Sequence, residues 1–393
     1  MSRRRGNLPV LFLAAALVAV GLTTSSDTPL APVASPSPSP TPPPVPAVDG
    51  LWRSRTELAA LATSGPAWTA LLAAADEGPG APVDVSDQES RHTTRTFATA
   101  LVAARLGGAY VDEVRDAIDG VIGTEFGDDG GHGAANRALA WGRNVGAYVL
   151  AADLIDLARV DPALDTRFRA WLRTMLTVSS VEGAADLYSL AGGNGTDPGN
   201  WGAWSGASHT AIAAYLRDPA QLELARRSLE RFLTTGEGFF YRETWAISRD
   251  ERGWSTAADR SGPIPPVNPP GARIDGHDVD GVLVADMRRG SQHFEWPPDP
   301  TTYPREALSG RVIQAAILDR LGMDPFSWGD EGLRRAADRL VALEAETGDD
   351  WYEAEQAPMW IIRGRYPDAA FEADGPVVGR MIAGTDWTHA GSP

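Results

Sequence analysis

AANRALAWGRNVGAYVLAADLIDL, Ala134 to Leu157, decides the class of the fold. Ala, Leu, Val and Ile recur through it at three- and four-residue spacing, the period of an α-helix. The same spacing returns on either side. It predicts helices over Ser54–Ala75, Arg91–Leu106, Val111–Gly120, Asp165–Leu176, Trp201–Leu216, Pro219–Thr234, Tyr303–Leu321, Asp330–Leu343 and Trp351–Tyr366. No series of alternating apolar and polar residues competes with it, so the chain reads as all-α. Ten amphipathic helices with no fixed-length repeat point to helical hairpins set in an incomplete (α/α) toroid. A stacked solenoid would show internal similarity, and none is found. In a toroid of helix pairs the loops gather at one end and form a cleft. The segment Phe239–Val282, rich in Gly and Pro, is the main irregular region, with room for short hairpins, and a loop region that long is usually functional.

Composition narrows the function. The 393 residues are ample for a buried core, and 43% hydrophobic against 22% charged residues marks a globular chain. A formal charge of -17 argues against nucleic acid as a partner, because phosphate binding needs a basic surface. Every basic residue is Arg, which removes lysine chemistry, and with no Cys there is no thiolate, disulfide or lipoprotein anchor. Residues 1–26 carry a basic start, an apolar run and small polar residues, the pattern of a signal peptide or N-terminal anchor. Residues 27–48 are a Pro/Ser-rich linker that holds residues 49–393 away from a wall or membrane. A secreted or cell-surface protein, associated with the cell envelope through its N-terminal segment, is therefore expected.

Three stretches could carry chemistry. In GGNGTDPGNWGAWSGASHTAIAAYL (Gly192–Leu216) a Gly/Asn/Asp loop runs into a helix bearing Trp201, Trp204 and His209. The two Trp could floor a sugar site; Asn200 could simply cap the helix, while Asn194 has no evident structural need. In IDGHDVDGVLVADMRRG (Ile274–Gly290), Asp275, His277, Asp278 and Asp280 lack the closing Glu of a calcium loop and read as a turn, so no metal or other cofactor is expected. Arg288 and Arg289 end that stretch, and a guanidinium matches a carboxylate bidentately. In GSQHFEWPPDPTTYPREAL (Gly290–Leu308), prolines brace a loop holding His293 and Trp296, and Tyr303 precedes Pro304 at a helix start.

ANRALAWGRNVGAYVLAADLIDL, NWGAWSGASHTAIAAYL and DGVLVADMRRGSQHFEWPPDPTTYPREALSGRVIQAAILDRLG together resemble the alginate lyase family of polysaccharide lyases, which are helical toroids. The resemblance covers most of residues 85–365. It implies β-elimination on a uronic-acid polymer. A neutralised C6 carboxylate acidifies the C5 proton, a Tyr or His removes that proton, and a Tyr protonates the leaving glycosidic oxygen. Carried over, Asn200 matches the neutralising Asn with Asn194 as rival, Arg289 matches the Arg with Arg288 as rival, and Tyr303 matches the catalytic Tyr. Two features depart from the family pattern. Trp201 stands where a His follows the Asn, leaving that role to His209, His277 or His293, and Trp296–Thr302 lengthens the path from Arg to Tyr.

The expected reading is thus a lyase acting on an acidic polysaccharide, with Tyr303, Arg289, Asn200 and His293 catalytic. Asn194, Trp201, Trp204, His209, His277, Arg288 and Trp296 are expected to bind substrate. Two other classes remain open. One is a toroid hydrolase using paired carboxylates, drawn from Glu125, Asp128 or Asp129 and Asp275, Asp278 or Asp280. The other is a non-catalytic envelope-glycan binder built on Trp201, Trp204, Trp254 and Trp296.

Overall fold

The computed structural model describes residues 42–81, 85–241, 253–257, 262–369, 371–375 and 379–390. The N-terminal signal-like segment and most of the Pro/Ser linker lie outside them, as does part of the long irregular region. Among the described residues the chain is mostly helical, as its periodicity predicts. In chain order the helices are α1 (Arg55–Ala60), α2 (Pro66–Asp76), α3 (His92–Leu106), α4 (Ala109–Val121), α5 (Ala134–Ile155), α6 (Leu157–Val160), α7 (Pro162–Thr177), α8 (Ala185–Tyr188), α9 (Leu190–Thr196), α10 (Asn200–Leu216) and α11 (Pro219–Leu233). After them come the hairpin strands β1 (Arg273–Ile274) and β2 (His277–Asp278), the only sheet among the described residues. Helices α12 (Val284–Met287), α13 (Tyr303–Arg320), α14 (Trp328–Thr347), α15 (Ala357–Arg365) and α16 (Thr385–Thr388) complete the chain.

Two departures from the predicted elements have local causes. The single helix expected over Ser54–Ala75 is two. Ser54 and Glu57 form a reciprocal capping box that starts α1, and Gly65, at φ 93°, followed by Pro66 starts α2. The segment GGNGT, Gly192 to Thr196, expected as loop, belongs to the helix α9. Its glycines are poor helix formers in isolation, but a Cβ on Gly192 would stand 2.1 Å from the Ala185 carbonyl oxygen. Packing, not propensity, fixes this turn.

Helix α10 is the hub. All of its residues from Gly202 to Tyr215 are buried, and it packs against α5, α13, α9 and α11. Small residues allow the close approach: a Cβ on Gly142 of α5 would come within 2.8 Å of the Ser205 nitrogen, and one on Gly310 of α13 within 2.7 Å of the Ala203 carbonyl carbon. Interiors are packed too tightly to absorb such contacts without moving a helix. Helix α5 is in turn buried from Ala138 to Ala152 and packs on α3. Each fully buried Leu, Ile or Val in this frame contributes roughly 2 kcal/mol. The frame fixes the N-terminal end of α10, which carries Asn200.

Candidate active site

Asn200 is not the cap of α10. Gly199 holds that position, and Asn200 is the first helical residue. The cap region is served instead by two carboxylates. Asp197 Oδ1 accepts the Gly199 N–H at 2.8 Å, and Asp286 Oδ1 accepts the Asn200 N–H at 3.0 Å. The Asn200 side chain is fully buried, and neither its Oδ1 nor its Nδ2 has a hydrogen-bond partner among the described residues. A buried amide in that state costs on the order of 1–3 kcal/mol, so its presence needs a cause other than capping α10.

Asn194 behaves oppositely. On α9, it donates through Nδ2 to His209 Nδ1 at 3.1 Å, and its Oδ1 accepts from Arg311 Nη1 at 2.9 Å and Ser228 Oγ at 3.1 Å. His209 passes the chain on, Nε2–H to Gln221 Oε1 at 3.0 Å. Burial holds His209 neutral, its pKa lowered to about 4, so the ring accepts at Nδ1 and donates at Nε2. Both residues are buried among α9, α10, α11 and α13. Their geometry is that of a structural bridge, not of groups facing a substrate.

Arg289 and Tyr303 are fourteen positions apart in sequence yet meet face to face. The Arg289 guanidinium lies over the Tyr303 ring, 3.8 Å from its centroid. The intervening Pro-rich segment closes on itself. Ser291 Oγ accepts the Asp299 N–H at 2.8 Å, and Gly290 lies so near the Asp299 carbonyl that a Cβ there would be 2.3 Å from its oxygen. The Trp296–Thr302 excursion therefore lengthens the chain without separating Arg from Tyr. Arg288 takes another course, buried, with Nε donating to the Gln292 carbonyl at 3.3 Å. Tyr303 opens α13, half-buried, and Pro304 follows at the second helical position rather than the first.

Asp286 joins the two halves. Its carboxyl holds the Asn200 backbone, and its own carbonyl accepts the Arg289 N–H at 3.0 Å. Sequence reading passed over it, although an acid inside the apolar run VLVADM, directly before two arginines, was a usable signal. It passed over Glu306 as well. One turn after Tyr303, Glu306 accepts from Trp204 Nε1 at 3.0 Å, Arg143 Nη2 at 2.9 Å and Arg380 Nε at 3.3 Å. Burial works against its charge, but Arg143 and Arg380 prevail and hold its carboxyl below the usual range. Trp204 is thus buried beneath α13 with its indole N–H spent on Glu306, which leaves no face for a sugar.

Beside the start of α13 opens a cavity of about 380 Å³. Arg91, Arg143, Arg305 and Arg380 line it together with Glu89, Glu306 and Glu353. The groove thus gathers four arginines, three of them ion-paired, on an acidic chain, and Thr302, the neighbour of Tyr303, reaches its wall. The other expected binders lie apart. Trp201 is half-buried, edge-on to Tyr188 at 6.5 Å. His277 stacks on Trp296 with ring centroids 4.7 Å apart, and His293 is exposed on the loop beyond Arg289.

The acids of the hydrolase alternative are largely engaged elsewhere. Glu125 accepts the Trp171 indole N–H at 2.8 Å, Asp129 pairs with Arg137 at 2.8 Å, and Asp280 pairs with Arg335 at 2.6 Å. Asp278 lies 3.9 Å from Arg339. No group of three or more His, Asp or Glu among the described residues could hold a metal.

No curated protein matches the chain. The segment that does match a family runs from the start of α5 past Asn194 and Asn200 to Trp254, short of Arg289 and Tyr303. Residues 135–254 match the alginate lyase family model, which bears out the resemblance read from the sequence and supports a polysaccharide lyase.

Proposed function

We propose that the protein is a secreted lyase that cleaves a uronic-acid polysaccharide by β-elimination at the Asn200–Arg289–Tyr303 site of an (α/α) toroid. One observation carries the reading. Asp286 holds the Asn200 backbone N–H through its carboxyl and the Arg289 backbone N–H through its carbonyl, Arg289 lies on Tyr303, and the Asn200 side-chain amide is buried and unpartnered, which supports reading the three as a neutralising amide, a carboxylate-binding cation and a proton-transfer group. Asn200 and Arg289 neutralise the C6 carboxylate of the sugar. Tyr303, as phenolate, takes the C5 proton, the electron pair forms the C4–C5 double bond, the C4–O bond breaks, and the phenol so formed returns the proton to the leaving glycosidic oxygen. The arginine-lined groove beside α13 holds neighbouring acidic sugars. The basic and apolar start of the chain supports export, and the Pro/Ser linker supports a place at the cell envelope.

The test is a panel of uronic-acid polymers, alginate, glucuronan and glycosaminoglycans among them, followed by the ultraviolet absorbance of the unsaturated uronide. Elimination produces that chromophore. Hydrolysis yields only reducing ends, and a binding protein yields neither, so either outcome would refute the lyase reading.

A further inference from the structure

We propose that Glu89 is a placeholder for substrate: its carboxylate stands between Arg143 and Arg380, where the carboxylate of a neighbouring uronate sugar binds, and the bound polymer displaces it. This rests on the lyase reading above and names the two arginines of the groove that take the sugar.

The site is organised around Glu306. Its Oε2 accepts from Arg143 Nη2 at 2.9 Å and from Trp204 Nε1 at 3.0 Å, and its Oε1 accepts from Arg380 Nε at 3.3 Å. Each guanidinium is thereby held by one of its nitrogens, while Nη1 of each is turned to Glu89. Glu89 Oε1 lies 3.9 Å from Arg143 Nη1, and Oε2 lies 3.4 Å from Arg380 Nη1. One carboxylate thus bridges two guanidiniums, an oxygen toward each, on the wall of the cavity of about 380 Å³. Thr302 lines the same cavity, directly before Tyr303, and Glu306 follows one turn later on α13. The bridge therefore lies at the end of α13 that carries the proposed proton-transfer group.

The three carboxylates of this cavity are not equally held. Glu306 has three donors, and Glu353 is bound to Arg305 Nε at 2.6 Å. Glu89 is 56% exposed and both of its ion pairs are long, a kind that contributes little. Its backbone, by contrast, is anchored. Asn144 Nδ2 donates to the Val85 and Asp87 carbonyls at 2.9 and 2.8 Å, Asp87 Oδ1 accepts the Glu89 N–H at 2.9 Å, and Arg380 Nη1 donates to the Gln88 carbonyl at 3.2 Å. The side chain can leave by changing rotamer while the turn stays in place. An incoming sugar carboxylate then replaces Glu89 charge for charge, and it meets guanidiniums already fixed by Glu306.

Glu89→Gln removes the competing charge. Glu355→Gln is the control, an exposed acid beside Gln356 of the cavity wall. Binding of short oligomers of mannuronate, guluronate, glucuronate and galacturonate is measured by calorimetry in a Tyr303→Phe background, so that the ligand is not consumed. Glu89→Gln should bind roughly three- to tenfold more tightly than its parent, the worth of two exposed ion pairs. Glu355→Gln should stay within about twofold. Arg380→Gln should weaken binding roughly tenfold, and in that background the gain from Glu89→Gln should shrink below about twofold, the mark of coupled residues. The proposal is overturned if Glu89→Gln, shown to be folded by its melting temperature, binds no more tightly than its parent. It is equally overturned if Glu355→Gln gains as much, or if the gain is undiminished in Arg380→Gln. Glu89 and Glu355 are exposed, so their two comparisons decide the matter should Arg380→Gln not fold. Oligomers bound with the expected pattern but never eliminated by the chain with Tyr303 intact would sink the lyase reading and leave Glu89 standing. Elimination with no effect of Glu89→Gln would do the reverse, and no oligomer bound by any of these chains would overturn both.

Discussion

Asn194 and Asn200 stand six residues apart, both fully buried, and differ in everything else. Asn194 spends both ends of its amide, on His209 at one side and on Arg311 and Ser228 at the other. Asn200 spends neither. A saturated buried amide joins helices and adds stability, whereas an unsaturated one lowers it and survives for another reason. The pair separates two states of one residue type within a single helical hairpin, and the contrast supports proposing Asn200 rather than Asn194 as the ligand-binding amide.

The sharpest way to break this picture lies at the partner end of the site. Tyr303→Phe removes the proton-transfer oxygen and leaves the ring beneath Arg289. Elimination should fall by roughly 1000-fold while oligouronate binding stays near the wild-type level, as read by absorbance and calorimetry. Full activity in this variant would show that the Tyr303 oxygen is no part of the reaction.

The next effect divides the two asparagines. Asn194→Ala strands Arg311, Ser228 and His209 in the core, so unfolding should lose roughly 2–4 kcal/mol. Turnover per folded molecule should change less than about threefold. Thermal melts and active-site-normalised rates check both. A melting temperature equal to the wild type would mean that the network around His209 is not stabilising.

A smaller effect follows from the buried histidines. Burial lowers both His209 and His92 to about 4 from the ordinary 6.5, and His92 is held by Tyr148 at 2.6 Å. Between those values the unfolded chain binds more protons than the folded one. Stability is therefore complete above about pH 6.5 and is lost as pH falls toward 4, by on the order of 3 kcal/mol for a histidine shifted this far. The melting temperature should drop over that window, and the drop should be shallower in His209→Gln. An unchanged slope would show that His209 does not carry this linkage.

Much of the fold was legible in the sequence, because helix spacing is local. The expected span Ala134–Leu157 became α5 within two residues, and Tyr303–Leu321 became α13 within one. Helix α9 was not legible, since its glycines are held by contacts with Ala185 and Asp186 that no local propensity reports. The site divides in the same way. Asn200, Arg289 and Tyr303 could be named from a resemblance, but the contrast between Asn194 and Asn200 could not. It depends on Arg311, 117 residues from Asn194, and on Asp286, 86 residues from Asn200. Trp204 looked like a sugar platform for a similar reason, because the Glu306 that occupies its indole N–H lies 102 residues away.

The most direct test of the central claim is Asn200→Ala, with elimination of the cleaved polymer and the melting temperature taken from the same preparation. The account predicts a turnover roughly 100-fold below the wild type, with a melting temperature unchanged or raised, since no hydrogen bond of the folded chain is lost. Wild-type turnover, or a melting temperature that falls as it does in Asn194→Ala, would contradict it.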